Sequence, residues 1–386
     1  MKIAIISMIR EPWGGSEELW FSMAKAAIAE GHTIIYLSFD FDTVHPRLQE
    51  LEALGARLYQ RPGYFPPGIS ARKRSVKLLL NFVKKKINNP FNQVFRHRPD
   101  IVLYNGTCYS IAQERPLLKA LNARPSAFYI IGHLNAENDR GLAATERNSI
   151  LSAYQRAKKV YFISIRSLRI AERQLYSDIP NAEVIRNPVN LSDTDIVPFP
   201  PIVSAVTGNA TIHFATVGNL LAVHKGQDVL LAVLRSPKWI KRDWVLNIYG
   251  DGADKKYLQE LAGYYRLQDR VVFHGKVGDI KEVWRKNHLL LMPSHMEGMP
   301  LAIVEAMLCG RPCVATDVGG AAEWIVEGVS GFLADAATVG ALDTAMEKAW
   351  QQKDHWEAIG IRAHERAMTL YDPSAGKTLL KKLTTL

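Results

Sequence analysis

The pattern that most restricts the fold lies at the start of the chain. Lys2–Ser7 is a short, Ile-rich apolar run and reads as a buried strand. A glycine-containing loop spans Glu11 to Glu17. Glu18–Glu30 then carries apolar residues at helical spacing, among them Leu19, Phe21, Met23, Ala24 and Ala27. Gly31 stops that helix, and Thr33–Phe39 is a second strand. Strand, helix and strand at this spacing form a βαβ unit, whose two strands lie parallel in one sheet. Ile101–Tyr104, Ala127–Ile131 and Val160–Ile163 read as further strands of that sheet.

The second half of the chain repeats the alternation. Ile212–Val217, Trp244–Tyr249, Val271–His274, Leu289–Met292 and Pro312–Thr316 read as strands. Gln227–Leu234, Tyr257–Tyr265, Pro300–Leu308 and Ala321–Glu327 read as helices. Between the halves, Asn187–Ala210 contains Pro188, Pro198, Pro200 and Pro201 and reads as a linker. The expected fold class is therefore α/β, with two doubly wound, Rossmann-like domains facing each other across a cleft. Ligands bind such sheets at the carboxyl ends of the strands.

Composition agrees with this. The 386 residues are 47% hydrophobic and 22% charged, which is globular rather than disordered, and the length suits two domains. The net charge is +10, which suggests nucleic acid, an anionic membrane surface or a phosphorylated substrate as partner. The excess is one-sided: residues 1–190 carry 27 basic and 16 acidic groups, residues 191–386 carry 21 and 22. Three cysteines, Cys108, Cys309 and Cys313, are too few and too scattered for a disulfide framework and fit a reducing cytosol. The apolar start ends at Ile9, too short for a signal sequence, and no run of about 18 apolar residues could span a membrane. The expected location is cytoplasmic, with peripheral attachment to the membrane as an addition.

The most informative stretch runs from Pro293 to Pro312. After the strand ending at Met292, a tight loop through Gly298 leads to Pro300, which suits a first helical turn. Leu301–Leu308 is apolar except for Glu305. A carboxylate on so apolar a helix must find hydrogen bonds, from an internal Arg or Lys or from hydroxyls of a ligand such as ribose. The N–H groups that open the helix suit a diphosphate. Gly310 and Pro312 end it.

Glu297 and Glu305 bracket seven residues, and the segment resembles the E-x7-E motif of retaining glycosyltransferases with the GT-B fold, family 4 in particular. The resemblance implies that Glu297 faces the donor sugar and Glu305 holds the ribose, with Gly298, Met299, Pro300 and Leu301 lining the donor between them. Gly14 and Gly15 resemble the family's N-terminal glycine loop at the donor phosphates. Gly218 to Gly226 resembles its diphosphate clamp: Lys225 matches, Asn219 stands where Arg is usual, and His224 is a possible substitute for that charge. Loss of the arginine removes a bidentate fork. His274, Lys276 and Val277 resemble the loop that reads the nucleotide base, and His133, after the Ala127–Ile131 strand, resembles a sugar-contacting histidine whose bland alternative is an ordinary loop imidazole. Glu323 reads as a helix N-terminal acid.

The resemblance implies residues 1–190 as an acceptor domain, 191–370 as a donor domain, and 371–386 as a helix returning to the first. It implies a metal-independent, retaining hexosyl transfer from a nucleotide diphosphate sugar, UDP before GDP, to a glycan or lipid-linked acceptor in cell-surface or exopolysaccharide synthesis. No cofactor beyond that co-substrate is implied. A GT-B-like nucleotide-sugar epimerase and a non-catalytic nucleotide-sugar-binding partner are the alternatives. Asp40 and Asp42 spell a D-x-D pair, but after the second strand, in the wrong place for a metal. Neither a P-loop nor a G-x-G-x-x-G follows the first strand. The basic groups between Arg72 and Arg98 interleave with Leu78, Leu79, Leu80, Phe82 and Val83, the pattern of an amphipathic helix on an anionic membrane. Its competitor is a solvated face with apolar lysine stems. Nucleic acid is not expected, because no nucleic-acid fold accompanies the patch.

Overall fold

A computed structural model describes residues 1–41, 43–63, 89–137, 141–201 and 211–385. The chain divides into two compact units, one of Met1–Pro188 with Asp372–Leu386, the other of Val189–Tyr371.

The first unit is built on a seven-stranded parallel sheet in the order β3-β2-β1-β4-β5-β6-β7. Its strands are β1 (Lys2–Ser7), β2 (Thr33–Phe39), β3 (Arg57–Arg61), β4 (Ile101–Gly106), β5 (Ala127–Gly132), β6 (Lys159–Phe162) and β7 (Ala182–Val184). Beyond its first residue, β1 is buried throughout, and β4 is buried along its length. Central strands of a parallel sheet are covered on both faces, which is why these run apolar rather than alternate. The β1 residue Ile3 pairs with Ile34 on one side and Ile101 on the other.

The helix Ala375–Thr384 belongs to this unit and packs along the helix Glu18–Ala29. They come close at Gly376, where a Cβ would stand 2.5 Å from the Ser22 backbone carbonyl carbon, so only glycine fits. The Tyr129 hydroxyl donates to the Leu383 carbonyl at 3.3 Å, and Lys382 pairs with Glu183.

The second unit holds a six-stranded parallel sheet in the order β10-β9-β8-β11-β12-β13. The strands are β8 (Ile212–Val217), β9 (Trp244–Tyr249), β10 (Val271–Gly275), β11 (Leu289–Met292), β12 (Cys313–Thr316) and β13 (Phe332–Ala334). Its core is rich in tryptophan. Phe214 is ringed by Trp239, Trp244 and Trp356 at 6.3–6.4 Å between centroids. Each indole N–H is satisfied, Trp239 by Asp343 at 2.7 Å, Trp244 by the Trp239 carbonyl at 2.8 Å and Trp356 by the Ala349 carbonyl at 2.9 Å.

Three strands do not stand out in the sequence: β3, β7 and β13, all at sheet edges. β3 reads Arg-Leu-Tyr-Gln-Arg, yet Arg61 is buried between the Phe39 and Phe91 rings and paired with Glu114 at 3.1 Å. The helix expected over Ala321–Glu327 ends at Trp324. Ile325 turns to extended backbone, and Glu327 bridges to Gly331 instead.

Of the basic stretch, residues 72–88 lie outside the described residues, as does Asp42. Arg96 is described, and its guanidinium donates to the Tyr59 hydroxyl at 3.0 Å while lying over that ring. Among the described residues, no helix is long and apolar enough to cross a membrane.

Candidate active site

The second sheet reverses its order between β8 and β11, and a parallel sheet opens a ligand crevice at such a point. The segments following β8, β11 and β12 meet there. After β8, the short helix Ala222–Lys225 ends at Gly226, whose φ is 63°. A Cβ on Gly226 would stand 2.1 Å from the Pro293 carbonyl oxygen. Glycine is thus required both by the left-handed backbone and by the approach of the loop after β11. The N–H groups of His295 and Met296 donate to the His224 carbonyl at 2.8 and 3.3 Å, tying the two segments together.

This places the Lys225 ammonium 2.6 Å from Glu297 Oε1. The same oxygen accepts from the Ser294 hydroxyl at 2.7 Å, and Thr316 at the end of β12 donates to the Ser294 carbonyl. Glu297 is the more covered partner, with 9% of its side chain exposed against 29% for Lys225. Charges this close and partly shielded interact more strongly than an ordinary surface pair. Next in the chain, the Gly298 carbonyl accepts from Gly320 N–H at 2.9 Å, so the loop after β12 props the glycine of the motif. Met299 and Pro300 are buried behind it.

The helix Leu301–Leu308 begins directly after Pro300, whose carbonyl accepts from Ile303 and Val304 at 3.0 and 3.4 Å. Glu305 sits in its middle, 9% exposed. Burial pushes its carboxyl pKa up to about 7, opposed only by the Asn190 N–H, which donates to it at 3.4 Å. Among the described residues it has no Lys or Arg in ion-pair range, so the internal counter-ion is not found there.

The remaining expected donor residues are distributed differently. Asn219 is exposed, and its carbonyl accepts from the Gln227 amide at 3.0 Å. His274 ends in a contact of its own: Nε2 lies 2.7 Å from Asn247 Oδ1, and the ring stacks on Tyr249 at 4.5 Å. It lines a cavity of about 360 Å³ with His213 and His288. Lys276 and Val277 are exposed just past β10, which is the sheet edge and is separated from β8 by β9. The structure therefore brings Lys225, Glu297 and Gly298 together, and sets the base-loop residues on another strand.

In the first unit, Gly14 is extended at φ −158° and Gly15 opens the turn Gly15–Glu17. A Cβ on Gly14 would meet nothing closer than 3.8 Å, so that backbone is open to approach. His133 follows β5 and is 5% exposed.

Two residues of the second unit escaped the sequence reading. Ser294 was inside the motif but has no charge to draw notice. Arg311 lies in the helix-ending Cys-Gly-Arg-Pro stretch and is wholly buried. In the first unit, Glu17 and Asn105 were passed over. An acid beside a helix start is ordinary, and the one available signal was a polar residue, Asn105, interrupting an apolar strand.

Residues 211–352 match the family model for glycosyl transferases group 1. The match encloses Lys225, Glu297, Glu305 and Arg311, and leaves His133 outside. Among curated proteins, N-acetyl-alpha-D-glucosaminyl L-malate synthase of Bacillus anthracis is 30% identical over 171 residues, 44% of this chain and 43% of that protein. Lipopolysaccharide 1,6-galactosyltransferase of Escherichia coli (strain K12) is 29% identical over 170 residues, 43% of this chain and 45% of that one. This chain thus matches less than half the length of these curated relatives. Among solved structures, HepE of Anabaena in complex with UDP-glucose superimposes with a TM-score of 0.74 at 19% identity, covering 100% of both chains. At that identity the likeness is one of fold, and the fold is GT-B: two Rossmann-like units, each on a parallel sheet.

Proposed function

We propose that the chain is a retaining, metal-independent glycosyltransferase that moves a hexosyl group from a nucleotide diphosphate sugar to a glycan or lipid-linked hydroxyl in polysaccharide synthesis. The observation that carries the reading is the Lys225–Glu297 pair at the point where the second sheet reverses its strand order. In this reading the donor diphosphate takes over Lys225, and the opening N–H groups of Leu301–Leu308 supply further positive potential. Glu297, released from the lysine, turns its carboxylate to the sugar hydroxyls. The oxocarbenium-like transition state then forms in a preorganised field. The leaving phosphate takes the acceptor proton on the same face. The UDP-glucose bound to HepE supports UDP as the first donor to try.

A calorimetric panel of UDP, GDP and their sugars, followed by a transfer and donor-hydrolysis assay, tests the proposal. Binding and slow donor hydrolysis are expected. A change in the donor sugar without acceptor would favour an epimerase, and binding without any turnover would favour a non-catalytic partner.

Glu305 offers a sharper check, because its two expected effects have opposite signs. A carboxyl whose folded pKa lies above its ordinary value favours folding when protonated. That contribution is present below about pH 4.5 and is lost as pH rises through about 7. Glu305→Gln should therefore stabilise the free protein at pH 8, by up to about 3 kcal/mol. It should also weaken nucleotide binding about tenfold and abolish the rise in affinity that ionised Glu305 gives between pH 6 and 8. Melting curves with calorimetry read both. Unchanged affinity in the variant would remove the ribose role.

A further inference from the structure

The carboxyl edge of the first sheet carries a second buried polar set, outside the family match. Ser7 ends β1, Asn105 lies just before the end of β4, and His133 directly follows β5, and these three strands are neighbours at the point where this sheet too reverses its order. Glu17, on the turn after the paired glycines, is 2% exposed. Its Oε1 accepts from the Ser7 hydroxyl at 2.9 Å and from the Asn105 amide nitrogen at 3.2 Å, and its Oε2 accepts from the Trp20 indole.

These contacts fix the direction of every hydrogen bond that follows. Asn105 has given its N–H to Glu17, so it presents Oδ1 to His133 Nε2, 2.6 Å away. A carbonyl oxygen can only accept, so Nε2 carries the proton. Burial drives the imidazole pKa down to about 3, which keeps the ring neutral with one N–H in all. His133 Nδ1 is then a bare acceptor, and it is buried with no hydrogen-bond partner among the described residues. A bare acceptor at the end of such a chain of hydrogen bonds is where an arriving donor would be received, since buried polar groups are usually satisfied.

We propose that Glu17 and Asn105 are positioning residues that hold His133 as its Nε2–H tautomer, so that Nδ1 is left to accept a hydrogen bond from a ligand hydroxyl at this sheet edge. The identity of the hydroxyl rests on the function proposed above; the tautomer does not. Burial raises the Glu17 carboxyl pKa to about 7; above that pH, turning the Asn105 amide over would set its oxygen against an ionised carboxylate, two acceptors face to face. Glu17 thus acts on His133 without touching the ligand.

Long-range proton–nitrogen NMR on histidine-labelled protein tests this, with the His133 signals assigned by their loss in His133→Phe. The free protein should show a protonated Nε2 and an unprotonated Nδ1. Glu17→Gln offers its oxygen to Trp20 and its amide to Asn105, which must then flip and donate to Nε2. The proton should move to Nδ1, and kcat/KM for transfer should fall about tenfold or more while UDP affinity stays level. The swapped pair Glu17→Gln with Asn105→Asp restores an oxygen facing Nε2 and should restore the first tautomer. A protonated Nδ1 in the unaltered protein overturns the proposal. So does an unmoved proton in Glu17→Gln or the absence of reversion in the swapped pair. Should Glu17→Gln fail to fold, the unaltered protein and the swapped pair still decide. The NMR reading needs no substrate, so a chain with the expected tautomer and no transferase activity would overturn the proposed function alone.

Discussion

Glu297→Gln is expected to lower turnover by about a hundredfold or more while leaving UDP affinity equal or higher. The direction of the second effect comes from the geometry. Lys225 and Glu297 are 2.6 Å apart, so a diphosphate must compete with the carboxylate for the lysine. Glutamine keeps the size and can still accept from Ser294, but it no longer neutralises the ammonium. Nucleotide binding then no longer has to break an ion pair. The chemical step loses a full negative charge beside the developing positive charge of the sugar, where a fixed charge has most leverage. Steady-state kinetics with calorimetry on one preparation separate the two effects. Turnover within about threefold of the unaltered protein would refute the role of Glu297, on the scale of about 1.4 kcal/mol per tenfold.

Arg311→Met is expected to cost about 3–5 kcal/mol of stability, a loss visible as a large fall in melting temperature. The guanidinium is wholly buried and faces carbonyls. Nε donates to Trp284 and Asn287 at 3.1 and 3.0 Å, Nη1 to Val197 and Cys309 at 3.0 Å each, and Nη2 to Pro198 at 2.6 Å. Burial lowers its pKa to about 10, so it stays charged at neutral pH. One side chain thereby joins the incoming segment at Val197–Pro198 to the approach of β11 and the end of Leu301–Leu308. Methionine fills much of the volume and satisfies none of these acceptors. Arg311→Lys keeps the charge without the planar fork and should fall between. A melting temperature unchanged in Arg311→Met would show that water or backbone rearrangement replaces the guanidinium.

The fold was legible where burial forces a pattern. β1, β2, β8, β9 and β11 are covered on both faces, so their apolar runs mark their ends closely. Gly31 and Gly310 take positive φ at the ends of their helices, where their sequence position suggested a stop. Three of the four edge strands escaped: β7 and β13 have three residues each, too few to show a period, and β3 begins and ends in arginine. The helix after β12 was overextended because Glu327 looks helical, while its local bridge to Gly331 depends on a contact that no helical period reveals. Within the site, spacing alone placed Glu297 and Glu305 about a helix start. It could not show that Lys225, distant in sequence, would pair with the first, nor that the second would lie in the interior with one weak backbone donor. The Glu17–Asn105–His133 set was hidden for the same reason. Its members come from a turn, a strand and a loop that follows another strand, and only the fold makes them neighbours.

The first unit is closed by residues that follow the whole of the second in the chain, because Ala375–Thr384 covers the helix Glu18–Ala29 with Gly376 at the point of contact. On the ribosome this imposes an order of events. The second unit can complete its core as soon as it has emerged, whereas the first must wait with one helix face uncovered until synthesis has passed through its neighbour. The unit begun before its neighbour is therefore finished after it.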